Sequence, residues 1–339
     1  LAPYTPGEQP SDMSEYIKLN TNESPYPPSE RALSVKNLRP LNRYCDTEAT
    51  VLKDAVASYY GLKSDNIIVS NGSDEALAFC FMAFCGKNKG AAFGEVTYGF
   101  YPVFCNLFGI DYKTVPLDSD LSLDPKKFYG LKRTIFIANP NAQTGIAMSL
   151  TDIEGILKNN PDDVVILDEA YVDFGGETAA GLIGGYDNLV IVQTFSKSRN
   201  LAGARVGIAM ANTELIADLN RIKYSFNPYN LNTFSAAVAA ESVKDVEYFK
   251  SCVSKIVKAR EYTVCELKKL GFTLTDSKAN FILTKSDKIA GEELYKSLKE
   301  NKVLVRHFGG KIEDYIRVTI GTEEEMKSFI SAVKKILGA

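Results

Sequence analysis

One histidine stands in a chain of 339 residues, and none of its six cysteines is paired at Cys-x-x-Cys spacing. A His-built metal site is thereby excluded, and no metal ligand set is expected. The scattered thiols at 45, 80, 85, 105, 252 and 265 read as small core residues of a cytoplasmic protein in a reducing compartment. No apolar run reaches the length of a membrane span, and the first ten residues lack the apolar stretch of a secretory signal. Basic and acidic residues nearly balance, 39 against 42, without a block of one sign. Neither nucleic acid nor an anionic membrane is therefore an expected partner. No Gly-x-Gly-x-x-Gly follows an early strand, which argues against a dinucleotide-binding oxidoreductase.

What is present is 45% hydrophobic and 24% charged, over a length that suits two lobes. Residues 1–28, rich in Pro, Ser, Asn and Tyr, read as an extended arm. From Thr47 to Tyr60 the period becomes helical, closed by Gly61. Apolar strands near 67–69, 91–93, 112–115, 134–138, 164–167, 189–193 and 205–210 then alternate with helices at 73–84, 98–108 and 149–159. Short strands apolar on both faces imply a mostly parallel sheet sandwiched by helices. The stretch 213–270 reads as helical, broken at Asn227-Pro228-Tyr229-Asn230. Strands at 280–283, 303–305 and 315–318, with helices at 290–300 and 322–337, give a smaller α+β unit. The expected division is an arm (1–28), a large domain (29–245) and a small carboxy-terminal domain (246–339).

In an open α/β sheet, ligands sit beyond the carboxyl ends of the strands. Four polar clusters fall at such ends: Asn71-Gly72-Ser73-Asp74, Asn139-Pro140-Asn141, Asp168-Glu169-Ala170-Tyr171 and Thr194-Phe195-Ser196-Lys197. A lysine, an acid and an arginine so placed are the parts that hold and use pyridoxal phosphate. Lys197 forms a Schiff base with the aldehyde, and Asp168 pairs with the pyridinium nitrogen, since a carboxylate ending an apolar strand needs a cationic partner. Tyr171 donates to the ring O3′. Gly72, Ser73 and Asp74, opening a helix, form an anion site for the phosphate; Thr194, Ser196 and Arg205 add donors. Freed from the cofactor, Lys197 carries a proton between the substrate Cα and C4′, the defining step of a transaminase.

These segments together resemble the histidinol-phosphate aminotransferases, of the fold-type I pyridoxal-phosphate-dependent transferases. The resemblance runs from Leu1-Ala2-Pro3-Tyr4, through Lys18 to Pro25 and Asn42-Arg43-Tyr44, to Ile316-Arg317-Val318-Thr319-Ile320-Gly321-Thr322. It implies that Tyr98 stacks on the pyridine ring and that Arg317 clamps the substrate α-carboxylate. Tyr44 would reach the cofactor phosphate of a neighbouring subunit, which makes the protein a homodimer with shared active sites. Asn22, Tyr4 and Arg306 are the candidates for the remaining substrate contacts. The implied substrates are small molecules, an amino donor (L-histidinol phosphate) and a 2-oxo acid (2-oxoglutarate). A threonine-phosphate decarboxylase and an aminotransferase of aromatic or other amino acids are the alternatives on the same scaffold. A non-catalytic cofactor sensor would need a DNA-binding segment for which there is no room.

Three departures mark this chain. The family pattern Pro-Asn-Asn-Pro-Thr-Gly is here Pro140-Asn141-Ala142-Gln143-Thr144-Gly145, so the second Asn, which contacts O3′, is Ala142. Either Asn141 replaces it through a shifted turn, or the contact is absent. Val96 stands where a proline commonly precedes the Thr-Tyr pair, and Ser198-Arg199-Asn200 follows Lys197 in place of a small-aromatic-small run.

Overall fold

A computed structural model describes residues 1–12, 15–36 and 38–338. The strand β1 (Ile17–Lys18) lies within the amino-terminal arm. β2 (Ile67–Ser70), β3 (Ala91–Gly94), β4 (Tyr112–Val115), β5 (Thr134–Ala138), β6 (Val165–Asp168), β7 (Leu189–Thr194) and β8 (Gly207–Ala211) form one sheet in the order β2-β8-β7-β6-β5-β3-β4. Only β8 runs against its neighbours, so the sheet is mostly parallel, as the apolar runs imply. Alternation along each strand feeds two cores. Val165 and Leu167 join one cluster while Ile166 joins the other; Leu189 and Ile191 face the first, Val190 and Val192 the second. Each such side chain contributes about 1.5–3 kcal/mol by burial, which fixes the register that aligns the strand ends.

The smaller unit is built on β9 (Phe272–Leu274), β10 (Phe281–Ser286), β11 (Val303–Leu304), β12 (Arg306–His307) and β13 (Ile316–Thr319). Its main sheet has the order β12-β13-β10-β9 and is antiparallel throughout. The arm is not merely extended: β1 pairs in parallel with β11, Ile17 opposite Val303. Leu19 is buried in the same apolar cluster as Phe281 and Val318, which ties the arm to the smaller unit.

Two further departures from the sequence reading have local causes. The first long helix starts at Thr50, not Thr47, because Ala49 adopts φ 45° and the Asp46 carboxylate caps the Thr50 N–H at 2.9 Å. The helical stretch after 213 breaks a second time at Asp245, which caps the helix Val246–Lys269 by accepting from the Tyr248 N–H.

Candidate active site

Sheet register brings the functional turns together. Ser70 lies opposite Gly207, Gly207 opposite Thr194, and Asp168 level with Val192. The chain leaving β2, β6 and β7 at this edge delivers Ser73, Tyr171 and Lys197 to one cavity of about 160 Å³, which β13 closes with Arg317.

Asp168 ends β6 with 4% exposure. Its Oδ2 accepts from the Tyr101 hydroxyl at 2.9 Å and its Oδ1 from the Ala170 N–H at 3.3 Å. Both partners are neutral. Burial pushes the carboxyl up to about 6, although these two hydrogen bonds pull it down. A cation above this carboxylate would complete it.

Lys197 follows β7 and extends its amine into the cavity, donating to the Thr21 carbonyl at 3.1 Å and lying 5.9 Å from the Tyr171 ring centroid. Burial first, then the charges of Arg317 and Arg205, lower its pKa from 10.5 to about 8 against the pull of Glu23 and Asp74. A lowered lysine pKa makes the neutral nucleophile available above that pH, so cofactor-free protein should capture pyridoxal phosphate at a rate that climbs with pH and levels off beyond about 8. A capture rate still climbing past pH 10, the behaviour of an ordinary lysine, would contradict this environment.

The opposite corner is an anion cradle. The helix Ser73–Phe84 opens at Gly72 without a side-chain cap, so its first N–H groups are free for a ligand. Gly72 has φ 83°, and a Cβ there would meet Arg205 Nη2 at 2.6 Å. Arg205 itself takes φ 53°, which ends the turn before β8 and starts that strand two residues later than the apolar pattern suggests. Its Nη1 donates to Ser196 Oγ at 3.3 Å, and Thr194 Oγ1 donates to the same oxygen at 3.0 Å. Asp74 has a different part from its neighbours. Its carboxylate accepts from the Tyr98 hydroxyl at 2.7 Å and from Arg205 Nη2 at 3.4 Å, so it orients both; its charge would repel a phosphate.

On the substrate side, Tyr171 accepts from Asn22 Nδ2 at 3.1 Å, and Asn22 Oδ1 accepts from Thr319 at 3.0 Å. Arg306 donates to the carbonyls of Thr5 (2.8 Å) and Pro6 (3.1 Å), holding the arm so that Tyr4 packs on Phe100 with centroids 4.8 Å apart. Asn22, Tyr4, Arg306 and Arg317 all line the cavity.

One expected residue, Asn141, is not brought there, and Tyr44, expected at the site of a neighbouring subunit, lies outside this cavity. Asn141 is spent on its own turn: Oδ1 accepts from the N–H groups of Gln143 (2.9 Å) and Thr144 (3.0 Å), and Nδ2 donates to the Val96 carbonyl at 2.9 Å. The Asn141 replacement for the missing Asn is thus corrected; Ala142, not Asn141, faces the cavity. Tyr44 is 75% exposed, stacked on Tyr229 at 4.3 Å. Near it a larger hollow of about 560 Å³, bordered by Arg31, Val35, Arg39 and Ala236, lacks the buried acid and amine pair. Two side chains were missed in the sequence. Tyr101 stands in the first turn of the helix Phe100–Phe108, among apolar neighbours that read as core; Gln143 gives no signal beyond standing where the family pattern has proline.

The residues fit pyridoxal phosphate. The neutral-partnered Asp168 suits a protonated ring nitrogen, the uncapped helix start beside Arg205 suits a phosphate, and Lys197 suits an aldehyde.

Comparison with known proteins agrees. The profile of the family "Aminotransferase class I and II" matches residues 14–333. A Brachyspira hyodysenteriae protein named histidinol-phosphate aminotransferase is 48% identical over 342 residues, covering 99% of this chain and 96% of its own. One from Clostridium botulinum (strain Okra) is 45% identical over 341 residues, with the same coverage. The crystal structure of histidinol-phosphate aminotransferase from Clostridium acetobutylicum superposes with TM-score 0.87 at 26% identity, over 95% of this chain and 99% of that one. L-threonine-O-3-phosphate decarboxylase from Porphyromonas gingivalis shares the fold, with TM-score 0.74 at 23% identity, over 87% of this chain and 93% of that one.

Proposed function

The chain belongs to the aminotransferases of classes I and II, in the histidinol-phosphate aminotransferase family, and we propose that it passes an amino group from L-histidinol phosphate to 2-oxoglutarate with pyridoxal phosphate as cofactor. The products are imidazole acetol phosphate and L-glutamate. The observation that carries the reading is the amine of Lys197 and the neutral-partnered carboxylate of Asp168 in one cavity with the guanidinium of Arg317.

Pyridoxal phosphate, when bound, supplies an aldehyde that takes up the donor's nitrogen and a protonated ring that draws off the electron pair of the Cα–H bond. Asp168 keeps the ring nitrogen protonated. Arg205, which bonds Ser196, would hold the phosphate with Ser196, Thr194 and the N–H groups after Gly72, and Tyr98, which bonds Asp74, would cover the ring. Tyr171 presents its hydroxyl to O3′. Lys197 Nζ removes the proton from the donor's Cα and delivers it to C4′. Histidinol phosphate carries a phosphate ester where glutamate carries its α-carboxylate, so Arg317 takes either anion in turn and sets the Cα–H bond across the ring. Asn22, Tyr4 and Arg306 enclose the rest of the donor.

The same reading extends to assembly. Tyr44, exposed beside an open hollow, reaches the cofactor phosphate of a second copy in a homodimer with shared sites. The chain divides into an arm (1–28), a large domain (29–245) and a small one (246–339), and works in the cytoplasm. No helix among the described residues is long and apolar enough to cross a membrane.

A screen of amino donors with 2-oxoglutarate tests the proposal. Histidinol phosphate should give glutamate with a kcat/KM at least about tenfold above histidine, phenylalanine or threonine phosphate. Release of CO₂ from threonine phosphate without glutamate would replace the proposal by the decarboxylase reading.

A further inference from the structure

Arg317 enters the cavity from β13 and is held there by neutral groups. Its Nη1 donates to the Ala142 carbonyl at 3.0 Å and to Gln143 Oε1 at 3.1 Å. These two acceptors occupy both hydrogens of Nη1. Nε is buried and has no partner among the described residues. The fork is thus turned so that its side-on edge, Nε with Nη2, is left for a bidentate anion. The rings of Phe281 and Phe308, each centred 5.1 Å from Cζ, flank it.

We propose that Gln143 is a positioning residue for substrate-anion binding: it fixes the rotation of the Arg317 fork through a neutral acceptor, so that the full charge stays available to the substrate. This rests on Arg317 being the substrate-anion receptor. A guanidinium has donors only, so the Gln143 amide must turn its oxygen towards Arg317. A carboxylate in that place would hold the same nitrogen but neutralise the charge and compete with the incoming anion. An apolar side chain would leave one Nη1 hydrogen without an acceptor and let the fork swing. Arg306 lines the same side of the cavity, and an uncharged anchor leaves both guanidinium charges available to the incoming anion.

The test compares Gln143→Leu, Gln143→Glu and Arg317→Gln in the cofactor-loaded protein. The readouts are KM for histidinol phosphate and 2-oxoglutarate, kcat, and the calorimetric Kd of glutarate, an unreactive dicarboxylate. Gln143→Leu should raise both KM values and the glutarate Kd about tenfold with kcat changed less, and Gln143→Glu should raise them about a hundredfold. Cofactor retention and melting temperature should match wild type in both, which separates positioning from a folding defect. Wild-type glutarate affinity in Gln143→Glu would overturn the proposal. If Arg317→Gln also bound glutarate normally, the assignment of Arg317 as anion receptor would fall with it; if that variant alone lost glutarate, only the role of Gln143 would fall.

Discussion

Lys197→Ala should leave a folded protein whose kcat is about 10⁴-fold below wild type, the upper range for loss of an acid–base group. Among the described residues that line the cavity Lys197 is the only lysine, and its pKa of about 8 keeps part of the amine neutral near that pH. The phosphate cradle uses none of its atoms, so pyridoxal phosphate should still bind, but without a covalent link. Activity within tenfold of wild type, measured by coupled glutamate formation, would remove Lys197 from the mechanism.

Asp168→Asn should have the next largest effect, and it should act in opposite directions on activity and stability. The amide keeps the shape and can still bond Tyr101, but cannot hold the ring nitrogen protonated; kcat should fall about 10²–10³-fold. In the cofactor-free protein the buried carboxyl has its pKa raised from 3.8 to about 6. A carboxyl raised on folding contributes fully below its unfolded pKa, and that contribution is lost as pH rises through about 6. Cofactor-free wild type should therefore lose up to about 3 kcal/mol between pH 4 and pH 7, relative to Asp168→Asn, which does not titrate there. Urea melts of the two proteins at both pH values would show it. A variant less stable than wild type at pH 7 would mean that Asp168 already has a compensating cation.

That the turns carrying Ser73, Asp168 and Lys197 meet at one sheet edge was legible because their residues sit where an apolar run stops and a polar cluster begins. Asp168, Thr194 to Lys197 and Gly72-Ser73 all obey that rule, and strand register does the rest. The substrate side was less so. Arg317 lies inside β13, and its surroundings depend on β10 and the turn at Ala142–Gln143, contacts made across 174 and 175 residues of sequence. Asn141 failed as a replacement for the missing Asn because an Asx turn closes with that same oxygen. Tyr101 was hidden by its apolar neighbours: Phe100-Tyr101 reads as core, and it is core, apart from the one hydroxyl beneath Asp168. The pairing of the arm through β1 with β11 has too few residues to leave a period.

The most direct test of the account is to reduce the cofactor-loaded protein with borohydride, digest it and map the pyridoxyl group. The tag should lie on the peptide that contains Lys197 and on no other lysine. A stable tag on a different residue, or full activity with no tag formed, would contradict the proposed chemistry.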